Sequence, residues 1–139
     1  MKIWLLTVGE PLPGLDDDQR ILRTGMLARA LAERRQEVVW WTSAFNHNRK
    51  RHRFERDTSI QSNEWLRLKL LHSVGYRKNI SLARVFNHRW LARKFKALAA
   101  GEAPPAIILS SLPLIELSFE AVQYGRSRSA LPLGRAAEP

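Results

Sequence analysis

An apolar run, a helix-patterned stretch and a second apolar run follow one another within the first 43 residues, and that order restricts the fold most. Residues 2–8 are apolar or β-branched at nearly every position, as in a strand buried on both faces, and they stop at Gly9. Gly9, Pro11, Pro13 and Gly14 cannot extend a strand, so residues 9–14 are expected to form a loop. Asp18 is the expected N-cap of a helix over residues 19–35, with Asp16 and Asp17 favoured by the helix dipole. On that helix Leu22, Met26 and Ala30 make a stripe, flanked by Ile21, Leu27 and Leu31, that should face the core. Val38, Val39, Trp40 and Trp41, within residues 37–43, give the second strand. Strand, helix and strand at this spacing form a βαβ unit, with two parallel strands and a right-handed crossover.

The alternation continues downstream. Residues 44–63 are polar and basic, a long loop of the kind that carries function. Leu66, Leu68 and Leu70 alternate with Arg67 and Lys69, which suits a half-buried strand over residues 65–71. Residues 81–100 read as a helix whose apolar stripe is Leu82, Val85, Phe86, Trp90 and Leu98, interrupted by Arg89 and Arg93. Gly101, Pro104 and Pro105 end it; a strand over 106–109 and a helix over 115–126 follow. The expected class is α/β with a Rossmann-like parallel sheet. Residues 127–139 hold two prolines, a glycine and no β-branched residue, so they read as a tail that leaves 106–109 at an open edge.

Charge narrows the partners. The net charge is +10, and residues 49–96 carry fourteen of the 23 Lys and Arg against three of the 13 Asp and Glu. The block Arg49, Lys50, Arg51 and Arg53 is the densest part and should attract an anion: acidic lipid, a phosphorylated substrate or nucleic acid. Helix-turn-helix, finger and RNP-type signatures are missing, so a nucleic-acid partner is not expected. A basic nucleic-acid-binding or non-catalytic partner module is the alternative reading. The sequence has no cysteine, which removes disulfides, thiol catalysis and zinc–cysteine sites. His47, His52, His72 and His88 lack metal-ligand spacing, so neither a metal nor a cofactor is expected. Ser110 and Ser111 precede Leu112 and Pro113, which excludes the glycine-flanked elbow of a serine nucleophile. The apolar runs fall short of the ~20 residues of a membrane helix, so a cytoplasmic chain is expected, peripheral to the plasma membrane at most.

Several long blocks carry a resemblance. They are Met1-Lys2-Ile3-Trp4-Leu5-Leu6-Thr7-Val8-Gly9-Glu10-Pro11-Leu12-Pro13 with Arg23-Thr24-Gly25, and Val38-Val39-Trp40-Trp41-Thr42-Ser43 with Phe45-Asn46-His47 and Lys50-Arg51-His52-Arg53-Phe54. Asn79-Ile80-Ser81-Leu82-Ala83-Arg84, Ile107-Ile108-Leu109-Ser110-Ser111-Leu112-Pro113 and Ile115-Glu116-Leu117-Ser118 continue the series. Together they resemble the opening half of bacterial family 4 glycosyltransferases, most narrowly the amino-sugar transferases of O-antigen and capsule assembly. Arg35 departs from the pattern where a glycine usually ends the helix, as does Ala106 where an aspartate precedes the strand. An Asp-Arg-Asp segment further on is missing.

The resemblance implies a GT-B arrangement of two facing Rossmann-like halves. Residues 1–128 would be the acceptor-side half, truncated, and 129–139 a disordered non-family tail. The full-length relative would move a sugar from a nucleotide-sugar donor to a lipid-linked glycan acceptor in cell-surface polysaccharide (lipopolysaccharide) biosynthesis. Gly9 and Glu10 would meet the acceptor, and Asn46, His47, Ser110 and Ser111 lie on the same rim, at the ends of predicted strands. Arg49, Lys50, Arg51 and Arg53 would meet the anionic membrane surface. No catalytic residue is assigned on this chain. The nucleotide sugar would be held only by the missing C-terminal domain, so this half alone is expected to be inactive.

Overall fold

The computed structural model describes residues 1–78, 81–111, 114–128 and 131–133. In chain order the elements are β1 (Lys2–Leu6), α1 (Arg23–Glu33), β2 (Glu37–Ser43), β3 (Phe45–Asn46), β4 (Arg51–His52), β5 (Thr58–Gln61), β6 (Leu66–Leu71), α2 (Leu82–Ala99), β7 (Ile107–Ser110), α3 (Ile115–Arg128) and β8 (Leu131–Leu133). Six strands form one sheet in the order β5-β6-β2-β1-β7-β8. All neighbours in it are parallel except β5, which runs antiparallel to β6. The chain is an α/β protein with a mostly parallel sheet.

Side chains alternate across the strands, and each sheet face acquires its own core. Trp4, Leu6, Val39, Trp41 and Ile108 point to the face covered by α2 and α3, where they meet Leu91, Phe95, Leu117 and Tyr124. Ile3, Leu5, Val38, Trp40, Leu66 and Leu68 point to the other face, covered by Ala28 and Ala32 of α1. Trp4 is the hub of the first core: its ring lies 4.9 Å from Tyr124 (stacked) and 5.1 Å from Trp41 (edge-on), centroid to centroid. Such pairs add about 0.5–1.5 kcal/mol beyond their area burial.

The face that α1 buries is Thr24, Gly25, Ala28 and Ala32, while Leu22 and Met26, expected inside, are exposed. Small residues let the helix approach a sheet already filled by Trp40, whose ring comes within 4.0 Å of where a Cβ on Gly25 would stand. The same correction applies to α2. Its buried residues are Asn87, Leu91, Ala92, Phe95 and Ala99, and the expected core stripe of Leu82, Val85, Phe86, Trp90 and Leu98 is exposed.

Helix ends differ from expectation at Asp18 and agree at Arg35. Leu22 occupies the N-cap of α1 without a side-chain hydrogen bond, so Asp18 does not cap it. Glu10 does the capping from a distance, its carboxylate accepting the Thr24 backbone N–H at 3.0 Å. Arg35 is left-handed, with φ 58°, at the position where a glycine was expected. There Gln36 N–H bonds to the Leu31 carbonyl and Arg35 N–H to that of Ala32, closing a Schellman motif. Ser81 caps α2 by accepting the Arg84 N–H.

Two segments are more ordered than the sequence suggests. The basic loop contains the β3–β4 hairpin and then β5. Past α3, β8 pairs with β7 along Ile107–Leu109, so β7 lies inside the sheet and not at an open edge. Pro132 is tolerated in β8 because that strand is itself the edge. Of the expected tail, residues 129, 130 and 134–139 lie outside the described residues, as do Asn79, Ile80, Leu112 and Pro113 of the resemblance.

Candidate functional site

The parallel strands run out in sequence order β1-β2-β6 on one side, and α2 then carries the chain back to β7 on the other side of β1. Ligands of open α/β sheets bind outside the carboxyl ends of the strands, where the order reverses. A cleft of about 210 Å³ opens at that end, lined by Val8 and Gly9 after β1, Ser43 at the end of β2, and Phe45 and His47 of the hairpin region. Tyr76 after β6, then Arg84, Asn87, His88 and Leu91 of α2, and Leu114 before α3 complete the wall. Gly9 has φ 86°, which lets the chain turn sharply off the end of β1.

Asn87 organises the floor. Buried on α2, its side-chain oxygen accepts the Gly75 N–H at 2.9 Å and the Ser73 hydroxyl. This holds the segment that presents Tyr76. Gly75 is needed there: φ is +71°, and a Cβ would stand 3.0 Å from the Phe45 ring. Tyr76 packs on Phe45, with centroids 5.1 Å apart, and meets His88 edge-on at 6.4 Å. Its hydroxyl is in close contact with His47 Nδ1. Lys50 lies 4.8 Å from the Tyr76 ring centroid and Arg84 6.0 Å, two cations against one aromatic face.

The electrostatics follow from that packing. Burial lowers the pKa of His47 from 6.5, and the charges of Lys50 and Arg84 lower it further. Burial also lowers that of His88, with Arg84 and His47 acting in the same sense and Glu116 opposing. Burial raises the Tyr76 hydroxyl above 10.0, against the pull of Arg84. At neutral pH the cleft thus holds two uncharged imidazoles, a protonated phenol and fixed positive charge from Lys50 and Arg84. It can donate several hydrogen bonds to an anion and accept a proton from a hydroxyl.

Of the six acceptor residues expected from the sequence, Gly9 and His47 line this cleft. Glu10 is occupied at the α1 N-terminus. Asn46 is buried, donating to Asp16 at 3.3 Å and accepting the Asn48 and Arg49 N–H groups, so it shapes the hairpin turn. Ser110 shares a 2.7 Å hydrogen bond with Ser118 of α3, and the Ser111 N–H bonds to the Leu6 carbonyl.

The cations expected at the membrane are not alike. Arg53, an expected exposed loop charge, is nearly buried: it pairs with Asp16 at 2.8 Å and donates to the Ser43 and Phe45 carbonyls. Arg49 pairs with Asp18, Lys50 turns to Tyr76, and Arg51 is exposed.

Tyr76, Arg84, Asn87 and His88 were missed. Their signal was positional: they flank the crossover from the third parallel strand to its helix, at the same sheet edge as Gly9 and His47. No group of three or more His, Asp or Glu among the described residues is placed to hold a metal. Compared with known proteins, the chain matches no family model and no curated sequence.

Proposed function

We propose that this chain is the acceptor-side half of a glycosyltransferase, Rossmann-like in type, that receives a lipid-diphosphate-linked sugar. The observation that carries the reading is the cleft at the carboxyl end of the sheet, where Arg84, two neutral imidazoles and a phenol line about 210 Å³ and Lys50 stands against the phenol ring. Complete ligand pockets span about 300–1,000 Å³. A smaller, open cleft is what one wall of a two-walled site offers. The residue blocks that resemble family 4 glycosyltransferases support the same reading.

In this reading Arg84 and Lys50 meet the diphosphate oxygens, since charge-assisted hydrogen bonds to phosphate are the strong ones. His47 and His88 hold the sugar hydroxyls, and either is suited to take a proton from the one that attacks. The nucleotide sugar comes from a second domain facing the cleft. That domain would supply the groups that neutralise the departing nucleotide. The setting is the cytoplasmic face of the plasma membrane, with the chain peripheral. Among the described residues no helix is long and apolar enough to cross a membrane.

Binding of a short-chain prenyl-diphosphate-linked N-acetylhexosamine, titrated calorimetrically in solution, tests the reading. Arg84→Ala should weaken binding about tenfold, the loss of one charge-assisted contact. No heat of binding, or equal affinity in the variant, would sink it.

A further inference from the structure

The outer surface of the α2–α3 layer carries an unusual pairing of large apolar groups and cations. Leu82 (78% exposed), Val85, Phe86 (64%) and Trp90 project from the first half of α2, and Ile115 (70%) and Phe119 from the first half of α3. On the α2 wheel Leu82, Phe86 and Trp90 lie within one arc, and Arg89 and Arg93 fall in the same arc toward the other end. The helix contains Arg84, Arg89, Arg93, Lys94 and Lys96 and no carboxylate at all. Among the described residues none of Arg89, Arg93 and Lys96 is in an ion pair. The carboxylates in the exposed half of α3, Glu116 and Glu120, are half-buried.

We propose that this surface docks on an anionic lipid bilayer, with Leu82, Phe86 and Trp90 of α2 and Phe119 of α3 entering the headgroup–acyl boundary. Single exposed apolar residues are ordinary, but six on the leading halves of two neighbouring helices mark a contact surface. The charge selects its occupant. A second copy meeting this face about a two-fold axis would set arginine against arginine, whereas anionic headgroups neutralise it. Arg89 and Arg93 share the arc with the apolar side chains, and their long stems let the charges stay among headgroups while the rings enter the boundary. Tryptophan and phenylalanine are the side chains suited to that boundary. Both apolar groups begin at the helix ends beside Arg84, His88 and Leu114, so the cleft mouth would open next to the bilayer.

The proposal deepens the membrane part of the function proposed above and rests on it, yet its test uses no sugar. Vesicles of phosphatidylcholine, with or without phosphatidylglycerol, are titrated with the full chain at physiological ionic strength. Binding should require phosphatidylglycerol, and brominated acyl chains should quench a component of the tryptophan emission that Trp90→Phe abolishes. Trp4, Trp40 and Trp41 are buried, Trp65 packs on the core of the opposite sheet face, and these four provide the unquenched background. Phe86→Ser with Trp90→Ser should cut partitioning at least about tenfold, while Met26→Ser, on the opposite helix layer, should leave it unchanged. Anion-independent binding, unquenched Trp90, unaltered partitioning of the double variant, or protection of Trp90 by dimerisation or by duplex DNA would each overturn it. Lipid docking without binding of the soluble acceptor analogue would leave this surface standing and remove the sugar-transfer reading.

Discussion

The β3–β4 hairpin and the outer face of α2 are the two most basic parts of the chain, and they use their cations in opposite ways. In the hairpin, Arg53 is tied to Asp16 and to two backbone carbonyls, and Arg49 is tied to Asp18. Those arginines hold the loop after β1 against the turn after β2. On α2, Arg89 and Arg93 stand beside exposed aromatic rings with no carboxylate anywhere on the helix. Density of positive charge along a sequence therefore does not say which cations are left without a carboxylate partner. What matters is whether the fold has already delivered a carboxylate to each cation.

The largest test of this contrast is Arg53→Ala. Removing one partner of a buried pair strands the other charge, so stability should fall by about 3 kcal/mol in urea unfolding. A loss under about 1 kcal/mol would mean that Asp16 finds water and that the hairpin is held by packing. Smaller is the effect of acid. His47 and His88 bind protons less readily folded than unfolded, so the unfolded chain takes up more protons as pH falls. Their contribution is present above about pH 6.5 and is lost below it, as pH drops through their lowered folded values. Replacing both by Gln should flatten the thermal midpoint between pH 7 and 5.5, a window set by the ordinary histidine value near 6.5. Smallest of all are Arg49→Ala and Arg93→Ala, each expected to change stability by no more than about 0.5 kcal/mol. They should nevertheless separate in function, because only Arg93→Ala should weaken vesicle binding.

The four strands β1, β2, β6 and β7 were legible because their signal is local, whereas β3, β4, β5 and β8 were read as loop or tail. Residues 37–43 were bounded correctly, and those at 2–8, 65–71 and 106–109 to within about two residues, from apolar runs and alternation alone. The left-handed position at Arg35 was pointed to only by the resemblance, through the glycine that usually ends the helix there. Helix orientation was not legible. Hydropathy asks which residues avoid water, whereas α1 turns Thr24, Gly25, Ala28 and Ala32 to the sheet, and a side chain at Gly25 would meet Ile21. On α2 the buried face is built on Leu91, Phe95 and Ala99, and not on the more apolar stripe that was expected inside. In the site, Gly9 and His47 follow directly from strand ends. Tyr76, Arg84 and His88 reach them only through the crossover, so their proximity is a property of topology. Glu10 was named through the resemblance, and the structure shows its carboxylate accepting the Thr24 N–H at the start of α1.

The Asn87 hub sets how freely this protein can drift in sequence. It grips the segment before Tyr76 through a backbone N–H and one hydroxyl, so most side chains of that segment are not read by the contact. Positions such as His72 and Val74 are free to vary so far as this contact is concerned, provided glycine stays at 75. Position 87 has no such latitude: leucine would strand a buried N–H, and aspartate would bring a buried charge to it. A lineage can thus retune the rim of the cleft one residue at a time while its floor is inherited as a block.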